Sequence, residues 1–373
     1  MKNIFLPVLS FCFFTTFVQA QQPLYKWWNA GTANIVVEGQ AWQQGLVNKF
    51  DRLPQRAKDE VSPALWNLSQ NNAGEYIRFK TNAAEIIVRY GVSGALSMPH
   101  MPSTGVSGID LYAKNIDGTW SWAPGKYSFR DTIEYRYNNL ASGNTKEFYL
   151  YLPLYNTVKW ITIGVPQNAT FDLQSAAHQK PIVVYGTSIA QGACASRPGL
   201  AWTSILGRKL NRTIINLGFS GNGKLEKPII DLMTEIDAEV YVLDCMPNLT
   251  ANYKLPDEEI KRRINDAVKE LQSKKSTPIL LVEHSSGAAK NYLDTARATE
   301  YKNSSQLLAE TFAGLKKRGI KNIYLLTDKE IGIDINGTVD GLHPNDIGMV
   351  AYANAYENIL KKILRTTKNN MQK

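Results

Sequence analysis

Near residue 180 the hydrophobic pattern of this chain changes period, and that change constrains the fold more than any other feature. Before it, short segments alternate apolar and polar residues: Tyr76-Ile77-Arg78-Phe79-Lys80, Glu85-Ile86-Ile87-Val88-Arg89-Tyr90 and Glu147-Phe148-Tyr149-Leu150-Tyr151-Leu152. Turn-forming groups separate them, among them Asn72-Ala73-Gly74, Asp117-Gly118 and Ser142-Gly143-Asn144. A period of two buries one side of each strand, and many short strands with such turns imply an all-β sandwich, jelly-roll-like, over 24–175.

Beyond it, Pro181 to Tyr185, Thr213 to Leu217, Glu239 to Asp244, Ile279 to Val282 and Asn322 to Leu326 are apolar runs of strand length. Helical stretches lie between them, at about 200–210, 225–235, 257–274 and 296–318, with a last helix from about 346 to 365. Five strands alternating with helices predict an α/β domain over 179–366, with a five-stranded parallel sheet covered on both faces. In such sheets ligands bind outside the carboxyl ends of the strands, so residues just after each strand matter most.

Residues 1–20 stand outside this scheme. Lys2, the apolar run Ile4 to Val18 and the small-residue site Val18-Gln19-Ala20 predict a signal peptide, hence export to periplasm or medium. No other apolar run approaches the ~20 residues of a membrane span. Removing Lys2 takes the formal charge from +9 to +8, spread along the chain with no basic stripe, which argues against nucleic acid. Cys194 and Cys245 are the cysteines left after cleavage, too few for a disulfide scaffold. They either pair or remain as two buried thiols.

The strand ends carry polar residues in a telling order. Gly186-Thr187-Ser188 follows the first strand, putting a hydroxyl between a strand and a helix start, with free backbone N–H groups nearby. Gly218-Phe219-Ser220-Gly221-Asn222-Gly223-Lys224 follows the second. It nearly spells a phosphate-binding loop, but Leu225 stands where a Ser or Thr would hold Mg²⁺. Its glycines are read instead as bringing amides close to a reacting group. Asp244-Cys245-Met246-Pro247-Asn248 follows the third strand, and Asp340-Gly341-Leu342-His343 precedes the last helix. An Asp three residues before a His across a tight turn can fix the imidazole tautomer, leaving it to take a serine proton. Of the other histidines, His178 lies in the linker, His284 ends the fourth strand, and His100 can reach across from the first half. No cluster has metal-ligand spacing, so neither metal nor cofactor is expected.

Together and in this order, these segments resemble the four blocks of the SGNH (GDSL-type) hydrolases. Ser107-Gly108-Ile109-Asp110-Leu111-Tyr112 is similar to the Gly-x-Asp-Leu-Tyr signature of a β-domain that precedes some of them. The resemblance implies a flavodoxin-like hydrolase fold with Ser188 as nucleophile, His343 as base and Asp340 orienting it. The oxyanion hole would combine the Ser188 and Gly221 N–H groups, Gly221 being preferred to Gly218, with the Asn248 amide. Thr187 replaces the family's usual Asp before the nucleophile, and Met246-Pro247 stands where glycines are common. Arg197, His284 and His100 are candidate substrate contacts.

The resemblance extends to exported carbohydrate esterases, so acetylated polysaccharide or oligosaccharide is the expected substrate. A lipid or short-acyl esterase and a glycan-binding protein with an idle triad are the alternatives. Seven of the eight tryptophans lie between Trp27 and Trp160. Trp120-Ser121-Trp122 has the alternation to put two rings on one strand face against sugar.

Overall fold

The computed structural model describes residues 24–31, 36–140, 143–175, 179–250, 253–285 and 288–371. The expected signal segment and His178 lie outside the described residues.

The period-two segments form two antiparallel sheets. One has the order Tyr25–Asn29, Val158–Pro166, Ile86–Val92, Ile133–Tyr137, Lys126–Ser128. The other runs Phe171–Leu173, Tyr76–Thr81, Lys146–Tyr151, Asp110–Lys114, Trp120–Ala123, with Val37–Glu38 also on Tyr76–Thr81. Ile86, Val88 and Tyr90 from the first sheet share one core with Ile77, Phe79, Phe148 and Leu150 from the second. This is the two-sided burial that alternation requires of a sandwich.

The second half forms a parallel sheet of β1 (Ile182–Gly186), β2 (Ile214–Gly218), β3 (Val240–Asp244), β4 (Ile279–Val282) and β5 (Ile323–Leu326). Its spatial order is β2-β1-β3-β4-β5, the flavodoxin-like arrangement. The helices are α1 (Trp202–Leu210), α2 (Lys227–Met233), α3 (Asp257–Leu271), α4 (Thr295–Lys317) and α5 (Asp346–Met371). Core residues of α2, α3 and α4 pack on one face of the sheet, those of α1 and α5 on the other. Burial on both faces explains why these strands read as continuous apolar runs. Among the described residues no helix is long and apolar enough to cross a membrane.

One stretch ahead of the alternating segments behaves differently. Leu53, Ala57, Leu65 and Trp66 join the core of the parallel sheet rather than that of the sandwich. Arg52, fully buried, fastens this stretch. Its guanidinium donates to the carbonyls of Leu68, Asn71, Asn216 and Gly218 and lies 4.8 Å from the Phe219 ring centre. The sandwich half therefore reaches around to the end of β2, where the candidate site begins.

Candidate active site

The site is assembled at the carboxyl edge of the parallel sheet. β1 ends at Gly186, where a Cβ would fall 2.6 Å from that of Ala190 and 2.9 Å from the Asp244 carbonyl. Only glycine lets the chain turn that closely against β3. Thr187 caps the short helix Ser188–Gln191 by accepting from the Ile189 N–H, and Gly192, at φ +104°, closes it. The helix start is thereby fixed, with Ser188 as its first residue.

Ser188 Oγ lies 2.8 Å from His343 Nε2, and His343 Nδ1 lies 2.8 Å from Asp340 Oδ2. The other Asp340 oxygen accepts from the backbone N–H groups of Leu342, at 3.0 Å, and His343, at 2.8 Å. Partial burial would raise this carboxyl, but the hydrogen bonds from the His343 ring and backbone prevail and hold it well below the usual carboxylate range. An ionised carboxylate only accepts, so the shared proton sits on Nδ1 and the Nε2 lone pair faces Ser188. This chain can take a proton from the serine hydroxyl.

The loop after β2 packs against the serine turn. Its Phe219 N–H donates to the Gly186 carbonyl and its Ser220 N–H to Gln191 Oε1. The Asn222 and Gly223 N–H groups point back to the Phe219 carbonyl. Asn248, with its amide oriented by its neighbours, also accepts from these two at 3.2 and 3.1 Å. Gly218 donates to Asn216 Oδ1, and a Cβ there would lie 2.3 Å from the Gln191 nitrogen. From 218 to 223 only the Gly221 N–H lacks an acceptor among the described residues, and Gly221 sits at φ +68°, where a Cβ would lie 3.9 Å from the Tyr253 hydroxyl. The loop thus turns its amides inward, unlike a phosphate cradle, and leaves one free.

Asn248 is buried and donates to the Tyr253 hydroxyl at 3.0 Å. Tyr253 itself is 37% exposed, with Lys224 Nζ 4.7 Å from its ring centre. Tyr155 donates to the Ser188 carbonyl at 3.3 Å. Sequence reasoning passed over both tyrosines, because neither follows a strand nor stands in a spaced motif. Gln191 was also missed, although its place on the same short helix as Ser188 was a usable signal.

The remaining candidates separate. His100 does come across from the sandwich half, its ring centre 6.1 Å from that of His343. His284 does not reach the rim. It is fully buried, stacked on Tyr301 with ring centres 3.9 Å apart, and burial lowers its pKa to about 3. Two residues beyond β4, it turns under α4, while neighbouring Glu283 accepts from the Asp328 N–H.

Arg197 is likewise committed elsewhere. It pairs with Asp110, bonds the Tyr112 hydroxyl at 2.5 Å and lies 4.1 Å from the Trp122 ring centre. Asp110 and Tyr112, the acidic and aromatic residues of the Gly-x-Asp-Leu-Tyr segment, therefore grip the loop that follows the serine helix. Trp120 and Trp122 stand two apart on one strand; their indole N–H groups donate to the Arg208 carbonyl and to Asp110, and the Trp122 ring remains 47% exposed. Cys194 and Cys245 are two free, buried thiols, so the pairing alternative falls. Burial pushes the Cys194 thiol up to about 12.

Residues 179–361 match the GDSL-like lipase/acylhydrolase family, and residues 25–171 match the GxDLY family, the N-terminus of SGNH-hydrolase-type esterases. A GDSL-like lipase from Bacteroides ovatus is 33% identical, with a TM-score of 0.83 over 92% of this chain and 98% of its own. A salicylyl-acyltransferase from a tetracycline biosynthetic pathway has a TM-score of 0.71 at 16% identity, over 91% of this chain and 97% of its own. A family two carbohydrate esterase from Cellvibrio japonicus has a TM-score of 0.53 at 11% identity, over 92% and 98%. The last two likenesses are of fold. No curated protein matches the chain.

Proposed function

The chain belongs to the GDSL-like lipase/acylhydrolase family, and on that premise we propose that it is an exported serine esterase that removes acetyl groups from polysaccharide or oligosaccharide. The hydrogen-bonded series Ser188–His343–Asp340 carries this reading. His343 takes the Ser188 proton through Nε2 as the oxygen attacks the ester carbonyl. Asp340 holds the imidazole and stabilises the imidazolium that forms. The developing oxyanion is met by the N–H groups of Ser188 and Gly221 and by the Asn248 amide, donors already fixed by the surrounding loops. His343 then returns its proton to the leaving sugar oxygen. A water, deprotonated by the same base, releases acetate from the acyl-enzyme.

Two observations are in keeping with a carbohydrate ester. A family two carbohydrate esterase shares this fold across both halves, as does the GDSL-like lipase. The triad also stands at an open rim, with the Asp340 side chain 44% exposed, where a bulky polymer has room to approach. Acetate release from a panel of acetylated polysaccharides, beside 4-nitrophenyl acetate and octanoate, tests the proposal. Acetate from a glycan, lost in Ser188→Ala, is the expected result. Cleavage of octanoate alone would make it a lipid esterase, and no activity on any ester would leave a glycan-binding protein.

A further inference from the structure

A cavity of about 390 Å³ lies between the two halves, at the end of the parallel sheet opposite Ser188. Its wall includes Thr213 and Ile214, just before and at the start of β2, whereas Gly221 follows the other end of that strand. Five residues of extended chain put roughly 13 Å between the two ends. The cavity is therefore separate from the triad. Its volume falls in the range of small-ligand sites.

Its lining combines aromatic surface with excess positive charge. Tyr149 stacks on Tyr76 with centres 5.0 Å apart, and Trp120 meets Tyr149 edge-on at 4.7 Å. Arg78 is neutralised by Glu38 and Glu147. Lys114 is not: its ammonium bonds only the amide oxygen of Asn211, at 2.6 Å, and no carboxylate pairs with it among the described residues. Arg212 has a carboxylate only at 3.9 Å, from Glu239. The Ser204 hydroxyl, in the same wall and 5% exposed, has no hydrogen-bond partner among the described residues. A buried hydroxyl without a partner is costly unless a ligand completes it, and a cation without a counter-charge is free to meet an anion.

We propose that this cavity binds a short acidic saccharide, a uronate-bearing stretch of polymer, at a site distinct from the ester-cleaving one. Aromatic edges and faces suit sugar rings, the cations suit the uronate carboxylate, and Ser204 suits a ring hydroxyl. Choosing a saccharide rests on the polysaccharide reading above; the cavity and its charge do not. Such a site would hold the polymer while a nearby segment meets Ser188.

The test is calorimetric titration of Ser188→Ala protein, which cannot turn over, with trigalacturonate and with maltotriose as the neutral control. Expected are one site for trigalacturonate, at least tenfold weaker binding of maltotriose, and at least tenfold weakening of the acidic ligand by Lys114→Met. Lys114 is only partly buried and makes one hydrogen bond, so its replacement keeps the fold, which a thermal melt checks; Tyr149→Phe serves as a second, milder variant, expected to leave binding in place. No heat at millimolar trigalacturonate, equal binding of both sugars, or no effect of Lys114→Met would each overturn the proposal. Turnover of acetylated glycan is measured separately on the parent protein, so failure of the esterase reading and failure of this one are told apart.

Discussion

Asp340 does two jobs with its two oxygens, and they lose different things on substitution. Asp340→Asn keeps an oxygen for the backbone N–H groups but offers no charge to the imidazolium and admits the wrong tautomer. The turnover number on 4-nitrophenyl acetate should drop about 10³–10⁴-fold while KM moves little. Asn248→Ala should cost about 10²–10³-fold, the usual loss for one oxyanion donor. A variant with full turnover would remove Asn248 from the oxyanion hole. These residues were legible because each stands immediately after a strand or before a helix, in family order. Arg197 and His284 looked similar on paper and differ only in their surroundings. The partners of Arg197 lie 85 and 87 residues away, and His284 is turned inward by the backbone after β4. Neither fact has a local sequence signature.

At the scale of single elements, the five parallel strands were readable because continuous apolar runs bounded by polar turns leave little else for the chain to do. The Arg52 stretch was not, since its short helix and turn lack a sustained period and its partners are backbone carbonyls of a distant strand. Arg52→Leu should strand buried carbonyls and destabilise the protein by about 3–5 kcal/mol, read from urea denaturation. The end of β3 supplies a pH-dependent element. Burial raises the Asp244 carboxyl to about 7, from an ordinary 3.8, so between those values the folded chain holds a proton that the unfolded chain has released. Stability must then fall as pH rises through that window, by on the order of 4 kcal/mol from this group. Asp244→Asn should flatten that part of the stability profile, and an unchanged slope would place the proton elsewhere.

For the whole molecule, the serine loop is held by three side chains, two from the sandwich and one from the helical layer of its own half. The sandwich supplies Asp110, whose carboxylate takes Arg197, the Gly199 N–H at 3.1 Å and the Trp122 indole at 2.6 Å. It also supplies Thr104, which donates to the Ser196 carbonyl, while Asp346 at the start of α5 accepts from the Ser196 N–H. Gly199 admits no side chain, because a Cβ would lie 2.3 Å from the Tyr112 ring and 2.5 Å from Asp110. The sandwich is thus a brace for the catalytic edge as well as a neighbour of it. Asp110→Ala leaves every triad atom in place but strands a half-buried guanidinium and frees the loop that leads away from Ser188. Breaking one partner of a buried pair destabilises strongly. Turnover should fall at least tenfold together with the thermal midpoint, while Asp110→Asn, whose single amide oxygen can still accept from Arg197 and Gly199 but no longer from Trp122 as well, should recover part of both. Loss of stability with turnover intact would mean that the sandwich steadies the fold without positioning Ser188.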